Sequence, residues 1–302
     1  MTRIATAFQN QTTLRTLQQA NQGIALSSYQ VSTGLKAQKT SDFDGQTYQV
    51  LTLRDVKNRT EVYLNNLKGA ENNVKATEST LQQMLDLVGD AISTATLGRN
   101  ENSANTRAAL APKAQSMAES FYTLFKTQYN GTYLFSGSNG QTPPINTNAQ
   151  ATAFPGSPVP TTYYQGDAQP PSIITGPATS LSYGILGNEP AIANLKAGLE
   201  ALWQGLQTNN VTEIDNAISA LNAAKKGLTT LQGFVGGQLN GLELVKDRHE
   251  TQQTFLTDQL DDLEKVDVSE AITRFSQQQA TLEASSALIT RINSLSLLDF
   301  LR

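Results

Sequence analysis

The sequence predicts a mainly α fold with a β-rich insert, in which long coiled-coil helices from both termini accompany a helical bundle domain and a small β domain. Apolar residues recur at alternating spacings of three and four on both sides of residues 131–188, as in helices that bury one continuous stripe. Between these arms the composition changes abruptly. Nine of the ten prolines lie between Pro143 and Pro190, and residues 131–190 contain no Lys or Arg. An inserted module of different architecture is therefore expected.

The first predicted helix has a seam with unbroken three–four spacing. Its positions are Leu14, Leu17, Asn21, Ile24, Ser28, Val31 and Leu35. The segment STGLKAQKTSDFDG at 32–45 then has the Gly and Asx content of a turn. A longer helix is predicted next, because thirteen positions from Val50 to Ile92 keep the same spacing. Polar seam positions such as Lys57 and Glu71 are expected to fix the register of the packing.

Further helical patterns cover the rest of the two arms. They lie at 103–129, 189–207, 211–232 and 238–265. Pro112 is tolerated near the first turns of the first of these helices, or marks a kink in it. The glycine-rich GFVGGQLNG at 233–241 lacks the Lys-Ser/Thr pair and the preceding strand of a phosphate loop. We interpret it as a turn between two helices.

A last helix is predicted to begin in the VDVSEA sequence at 266–271. Asp267 can accept hydrogen bonds from the amides of the first turn, and Glu270 can reach back, as in a capping box. The predicted apolar stripe of this helix is Val268, Ile272, Phe275, Leu282 and Ile289.

The chain ends in NSLSLLDFLR at 293–302, in which five of the ten residues are large and apolar. Chain ends are usually polar and frayed unless a contact orders them. We expect this terminus to be buried against another subunit or a chaperone; docking onto its own domain is the alternative.

The insert is predicted to contain short strands. Tyr133 and Phe135 alternate with other residues before the turn sequence SGSNG. Further β-branched or aromatic runs are TTYYQGD (161–167), PSIIT (171–175) and LSYGIL (181–186). Short runs punctuated by Gly and Pro indicate a small β domain, with Tyr133 and Phe135 as core residues rather than a binding patch.

The predicted domain organisation has five segments. These are an N-terminal coiled-coil assembly segment (1–44), the first part of a helical domain (45–130), the β-rich inserted domain (131–188), the second part of the helical domain (189–265) and a C-terminal coiled-coil assembly segment (266–302).

Bulk properties exclude several classes of protein. The net charge of −4 and the pI near 5.2 disfavour a nucleic-acid partner, which needs clustered Lys and Arg. The sequence has no run of eighteen apolar residues, so membrane insertion is not expected. The opening MTRIATAFQNQTTLRTL has no apolar core of a secretory signal peptide. With no cysteine, disulfides and thiolate metal ligands are excluded.

No residue pattern indicates catalysis, a metal or a cofactor. His249 is the single histidine and lies on a helix seam, so packing is the better interpretation than metal binding. The Asp261, Asp262 and Glu264 carboxylates on one helix are interpreted as a solvated face. SDFDG at 41–45 lacks the later ligands and the closing Glu of a calcium loop. We therefore predict that the protein is not an enzyme and has no catalytic, metal-binding or cofactor-binding residues.

Three stretches together resemble the bacterial flagellin superfamily. They are VSTGLKAQKTSDFDG (31–45), NGTYLFSGSNGQTPP with YYQGD (130–144 and 163–167), and DVSEAITRFSQQQATLEASSALITRINSLSLLDFL (267–301). Within that superfamily, the G-x-Y-L-F-S-G run at 131–137, a Pro pair and Y-x-G-D at 164–167 are similar to the hook–filament junction members. The Asp299-Phe300-Leu301 ending is also more similar to junction members, whereas Arg302 is typical of flagellins.

The resemblance implies a structural subunit that joins the flagellar hook to the flagellin filament. It implies a homo-oligomer that forms a ring or short helical layer, with hook-associated protein 1 on one side and flagellin on the other. It also implies a cytosolic export chaperone, type III export without a cleaved signal peptide, an extracellular location in the flagellum and an outward-facing β insert. The assembly interface would comprise Leu14, Leu17, Ile24, Val31, Leu35, Ile272, Phe275, Leu282, Ile289, Ile292, Leu295, Leu298, Phe300 and Leu301.

Two other interpretations remain open at this point. The chain could be a flagellin that forms the filament itself, which would elongate without limit when seeded. It could also be a secreted helical adhesin that binds through its β insert and keeps that activity when both termini are removed.

Overall fold

The computed structural model describes residues 2–43, 45–101, 103–145 and 163–300. Side chains are described for the residues of these ranges that lie between 11 and 290, except Thr13. Seven α-helices lie in these ranges: α1 (Thr2–Thr33), α2 (Thr47–Asn100), α3 (Ala104–Ala109), α4 (Ala111–Phe125), α5 (Pro190–Gln207), α6 (Val211–Glu264) and α7 (Val268–Phe300). Four strands accompany them: β1 (Gln128–Tyr129), β2 (Thr132–Tyr133), β3 (Ser172–Gly176) and β4 (Thr179–Ser182). The mainly α fold with a β-rich insert is confirmed.

The chain forms two compact units, Met1–Arg59 with Thr251–Arg302, and Thr60–Glu250. The first unit contains the pair α1 and α7. It also has a small core beneath the segment that links α1 to α2. The second unit has a larger core built from α2, α4, α5 and α6 and from residues of the insert.

Helix α2 follows the predicted seam closely. All thirteen positions from Val50 to Ile92 are buried or half-buried. Val74, Leu81 and Val88 are fully buried. A three–four repeat over this length marks a single helical face for burial in the core. The sequence pattern is therefore sufficient to predict which face of α2 is buried.

The prediction of one helix over 103–129 is wrong in its extent. Two helices, α3 and α4, meet at Leu110, and the second ends at Phe125. Ser103 caps α3 by accepting from the Thr106 amide at 3.5 Å. Pro112 lies in the first turn of α4, where its missing N–H costs nothing.

The predicted turn at 233–241 is also wrong, because α6 continues through it to Glu264. Each mid-helix glycine lowers helix stability by roughly 1 kcal/mol relative to Ala. Val235 and Leu242 are nevertheless buried in the core on the same face of α6. Tertiary packing of that face therefore outweighs the poor local propensity of the glycines.

At the start of α7 the Asp267 half of the predicted capping box is confirmed and the Glu270 half is wrong. The Asp267 carboxylate accepts from the amides of Ser269 at 2.8 Å and Glu270 at 3.2 Å. The Glu270 carboxylate lies 3.3 Å from the Arg274 guanidinium, one turn along the helix. Glu270 therefore supports the helix by an ion pair with Arg274 rather than as the second half of a capping box.

The insert contains two two-stranded antiparallel sheets. The pair β1–β2 turns at Asn130 and Gly131, both with positive φ (49° and 75°), as in tight hairpins. The pair β3–β4 has an irregularity between Ile174 and Gly176. Of the predicted strand runs, 171–175 coincides with β3, while Tyr164 makes an isolated bridge with Ile145.

Candidate assembly interface

Helices α1 and α7 pack against each other. On α1 five of the half-buried or buried positions have a three–four spacing: Leu17, Ala20, Ile24, Ser27 and Val31. The corresponding positions on α7 are Ala271, Phe275, Gln278, Leu282, Ser285 and Ile289. Each stripe alternates large apolar residues with small or polar ones, so that side chains of one helix fit between those of the other.

A polar contact lies in the middle of this helix pair. The Ser27 hydroxyl, 3% exposed, donates to the side-chain oxygen of Gln278 at 2.8 Å. Gly23 lies one turn earlier, where a Cβ would stand 2.7 Å from the Gln278 amide nitrogen. Gly23 thus leaves the space that the Gln278 side chain occupies. A buried polar pair of this kind specifies register, because a shifted pairing would leave its hydrogen bond unmade.

Backbone hydrogen bonds join the segment that follows α1 to the segment between α6 and α7. The Lys36 amide donates to the Glu264 carbonyl at 2.7 Å, and the Val266 amide donates to the Gly34 carbonyl at 2.9 Å. Leu35 and Lys265 form the antiparallel bridge between them. Gly34 adopts φ +73°, which lets α1 end and the chain turn into this short ladder.

The linking segment after α1 is anchored by Phe43. This side chain of the SDFDG sequence is 7% exposed and packs in a small cluster with Val50 and Leu260. Close by, the Arg54 guanidinium pairs with the Glu264 carboxylate at 2.7 Å. The sequence predicts a turn here but gives no sign that Phe43 is its anchor.

The predicted interface residues fall into three groups. Half-buried between or beside α1 and α7 are Leu17, Ile24, Val31, Leu35, Phe275, Leu282 and Ile289. Leu14 and Ile272 are exposed, at 60% and 49%. The side chains of Ile292, Leu295, Leu298, Phe300 and Leu301 lie outside the described residues.

Several apolar side chains remain exposed on both helices. Besides Leu14 and Ile272, Leu26 is 45% exposed and Leu288 is 58% exposed. These side chains do not belong to the stripe through which α1 and α7 meet. The first unit therefore offers apolar contact area on α1 and α7 in addition to the area that the pair already buries.

The predicted stripe of α1 is displaced from the observed one at alternate positions. Asn21 and Ser28 were expected in the seam but are exposed, while Ala20 and Ser27 take their places. The contact between Gln278 and Gly23 does not follow from the apolar pattern of either helix. A small-residue pattern of Ala20, Gly23 and Ser27 on one helix face was the signal that could have found this stripe.

The two motifs that resemble junction proteins form one structure. The Phe135 ring stacks on Phe125 with centroids 5.6 Å apart, in the core of the second unit. The Asp167 amide donates to the Ser136 carbonyl at 2.9 Å. Ser138 donates to the Asp167 carboxylate, and this hydrogen bond, with one from the Gln169 amide, holds the pKa of Asp167 below its ordinary value.

A buried ion pair lies in the same unit. Lys196 and Glu200, both 2% exposed, are one turn apart on α5 with Nζ and Oε1 separated by 2.6 Å. The Tyr122 hydroxyl donates to the Glu200 carboxylate at 2.5 Å. Burial, followed by this hydrogen bond, raises the pKa of Tyr122 well above its ordinary value. Sequence patterns treat charged helix residues as solvated, which is why this group was not foreseen.

The residues that the sequence offers as candidates for catalysis or metal binding make contacts within the protein. His249 is buried with Nε2 2.7 Å from the Thr175 carbonyl. Asp261 pairs with Lys265, and Glu264 pairs with Arg54. In the ranges that the structure describes, no cluster of three or more His, Cys, Asp or Glu residues could hold a metal ion. No helix of those ranges is long and apolar enough to cross a membrane.

Known proteins provide a comparison for this architecture. The model of the bacterial flagellin N-terminal helical region matches residues 4–140, and that of the C-terminal helical region matches residues 211–301. Flagellar hook-associated protein 3 of Escherichia coli (strain K12) is 26% identical over 287 residues, which cover 89% of this chain and 90% of that protein.

Solved structures share the fold. The structure of a flagellar hook-associated protein from Vibrio parahaemolyticus has a TM-score of 0.61 and 15% identity, covering 74% of this chain and 100% of that one. Hook-associated protein 3 from Legionella pneumophila has a TM-score of 0.59 and 13% identity, covering 71% and 98%. Because the two flagellin models together cover about three quarters of the sequence, this chain belongs to the bacterial flagellin family and is similar to hook-associated protein 3 within it.

Proposed function

We propose that this chain is the structural subunit that joins the flagellar hook to the flagellin filament. Its copies form a ring or short helical layer, with hook-associated protein 1 on the hook side and flagellin on the filament side. It leaves the cell by type III export without a cleaved signal peptide, after a cytosolic chaperone has held its C-terminal region. A structural role in the flagellum is common to the family; the junction role is the proposal.

The observation that supports assembly is the set of exposed apolar side chains on α1 and α7. Leu14, Leu26, Ile272 and Leu288 are between 45% and 60% exposed. Full burial of a side chain of this size stabilises by roughly 1.5–3 kcal/mol. Because these side chains are already about half buried, packing them against neighbouring copies would recover about half of that free energy at each position.

The predicted segments 1–44 and 266–302 serve as the assembly segments in this proposal. Residues 45–130 and 189–265 form the helical domain, and residues 131–188 form the insert. Contacts of one surface with a different surface of the next copy generate a ring or an open helix, according to whether the rotation closes.

The junction role is favoured over a filament-forming flagellin by the comparisons. The curated relative and this chain cover nine tenths of each other, and that relative is a hook-associated protein 3. A filament subunit is the second candidate, because family membership alone admits it. Seeding distinguishes the two, since a filament subunit elongates without limit and a junction subunit stops after a short layer.

Electron microscopy of flagella from a strain that lacks this chain tests the proposal. We expect hooks without filaments, with flagellin released into the medium, and recovery when the intact chain is restored. Restoring the Leu298→Asp, Leu301→Asp variant should leave the hooks bare although the folded protein is present. Normal filaments in the deletion strain would contradict the junction role.

A further inference from the structure

A polar cavity of about 310 Å³ lies in the second unit, where the β1–β2 hairpin, β3 and α2 contribute to its wall. This volume is at the lower end of small-molecule sites, roughly 300–1,000 Å³. Six of its nine lining residues carry a hydroxyl or amide side chain, and none carries a charge. The six are Asn73, Thr132, Tyr133, Ser138, Ser172 and Tyr183.

Most of these polar groups have no hydrogen-bond partner within the described part of the chain. The hydroxyls of Tyr133 and Tyr183 make no such bond to a described residue. The two other tyrosines of the insert differ, since Tyr163 donates to the Gly187 carbonyl and Tyr164 to the Asp167 carbonyl, both at 2.9 Å. Two tyrosines that line the cavity therefore keep hydroxyls without a partner among the described residues, whereas the hydroxyls of Tyr163 and Tyr164 are used internally.

The wall of the cavity is held by backbone hydrogen bonds. The Tyr133 amide donates to the Gly140 carbonyl at 2.8 Å, and the Tyr183 amide donates to the Pro171 carbonyl at 2.9 Å. The Ser138 amide donates to the Gln169 carbonyl at 2.8 Å. A ligand would meet groups whose main chain is already ordered, which reduces the entropy lost on binding.

The charge around the cavity selects the class of ligand. Residues 131–188 contain no Lys or Arg, and Asp167 is their single acid. Its carboxylate accepts from Ser138 of the cavity wall. Among the lining residues an anionic ligand would find no cation, and a metal ion would find no carboxylate.

Neutral hydroxyl-rich compounds fit these groups. Each sugar hydroxyl both donates and accepts, as do the tyrosine, serine and threonine hydroxyls of the wall. The tyrosine rings add apolar faces against which the C–H face of a sugar ring can pack. We propose that this cavity binds one neutral sugar ring, as a free glycoside or as the end unit of a glycan.

Saturation-transfer NMR on the full chain tests this proposal with methyl glycosides of glucose, galactose, mannose and N-acetylglucosamine. At least one neutral glycoside should receive saturation, and the methyl glycoside of sialic acid should receive less. Oligosaccharides ending in the bound sugar then separate the two sources: tighter binding than the monosaccharide identifies a glycan end, and equal binding identifies a free glycoside.

A double variant ties the signal to the cavity. Tyr133→Phe with Tyr183→Phe keeps both rings and removes both hydroxyls, so binding should weaken about tenfold, the loss expected of two neutral hydrogen bonds. Tyr48→Phe, 82% exposed on α2 and outside the cavity, is the matched control and should bind unchanged. The proposal is overturned by no transfer to any neutral glycoside at millimolar concentration, by equal binding of the double variant, or by preference for the sialoside.

Discussion

The Ser27 hydroxyl of α1 donates a 2.8 Å hydrogen bond to the Gln278 side chain of α7. These two residues are 251 positions apart in sequence, so this contact forms only when both ends of the chain have met. Gly23 provides the space for the Gln278 amide on the preceding turn. The register of the helix pair thus rests on a serine, a glutamine and a glycine as well as on apolar residues.

Replacing Ser27 by Ala should loosen the helix pair. The Gln278 oxygen loses a donor in a site that is mostly closed to water, which costs about 1 kcal/mol. Amide hydrogen exchange of α1 and α7 should become faster, while the second unit is unchanged. Ser28→Ala, at the neighbouring exposed position, is the control and should have no effect. Equal exchange in both variants would show that the hydrogen bond does not stabilise the pair.

Replacing Gly137 by Ala should destabilise the second unit by about 2 kcal/mol or more. Gly137 has φ +72°, and a Cβ there would lie 2.6 Å from the Asp167 carbonyl oxygen and 2.8 Å from that of Gln169. Backbone atoms cannot move aside as a flexible side chain can, so strain adds to the conformational cost. Urea unfolding measures the change.

Gly131→Ala is the matched control for Gly137. Its φ of +75° is similar, but a Cβ there meets nothing within 4 Å. Gly131→Ala should lower the free energy of unfolding by only about 1 kcal/mol, the cost of placing a residue with a Cβ in the left-handed conformation. Equal losses in the two variants would mean that the close approach of the two motifs contributes nothing.

The buried ion pair should show a large difference between single and double replacement. Lys196→Met leaves the Glu200 carboxylate buried with Tyr122 as its neutral partner, a loss of roughly 3–5 kcal/mol. Lys196→Met with Glu200→Leu removes both charges and should recover most of it. Arg59→Met removes an exposed pair of the same spacing and should change stability by less than about 0.5 kcal/mol. If the single and double variants are equally unstable, lost packing rather than uncompensated charge is the cause.

Tyrosine ionisation should weaken the second unit in alkali. Burial raises the pKa of Tyr163 and Tyr183, and raises that of Tyr164 to about 12. In the unfolded chain these tyrosines titrate near pH 10. A tyrosine whose pKa is raised in the folded state contributes to the stability of that state, and this contribution is fully present below pH of about 10. The contribution is lost as the pH rises through the pKa of the folded state. Alkaline absorbance titration should show delayed tyrosines that ionise together with unfolding; ionisation of all tyrosines near pH 10 in the folded protein would contradict this.

The sequence predicted some elements well because their signal was long and redundant. Helix α2 repeats its spacing over thirteen positions, so no neighbouring face of the helix is an equally good candidate for burial. The stripe of α1 was displaced because Ala20 and Ser27 carry little hydrophobic signal, and the choice between adjacent faces depends on α7. At 233–241 local glycine content predicted a turn, but burial of Val235 and Leu242 in the core decided for a helix.

The candidate site was predictable only in its apolar part. Half-buried residues such as Leu17, Ile24 and Leu282 follow from helical spacing. The hydrogen bond of Ser27 with Gln278 does not, because polar partners from opposite chain ends have no local pattern. By contrast, the Asn130-Gly131 turn of the β1–β2 hairpin has a strong local signal, because Asn-Gly is typical of two-residue hairpin turns.

Exposed leucines of the terminal helices should be needed for assembly but not for folding. Leu26→Asp with Leu288→Asp places charges at positions that are 45% and 58% exposed in the isolated chain. The helix pair should keep its circular dichroism, because neither side chain belongs to the stripe between α1 and α7. Burial of an unpaired carboxylate between copies would cost several kcal/mol, so homo-oligomers in sedimentation should disappear. Gln19→Asp introduces the same charge at another exposed position of α1 and should assemble normally. Oligomers that persist in the double leucine variant would show that these two positions do not belong to an interface between copies.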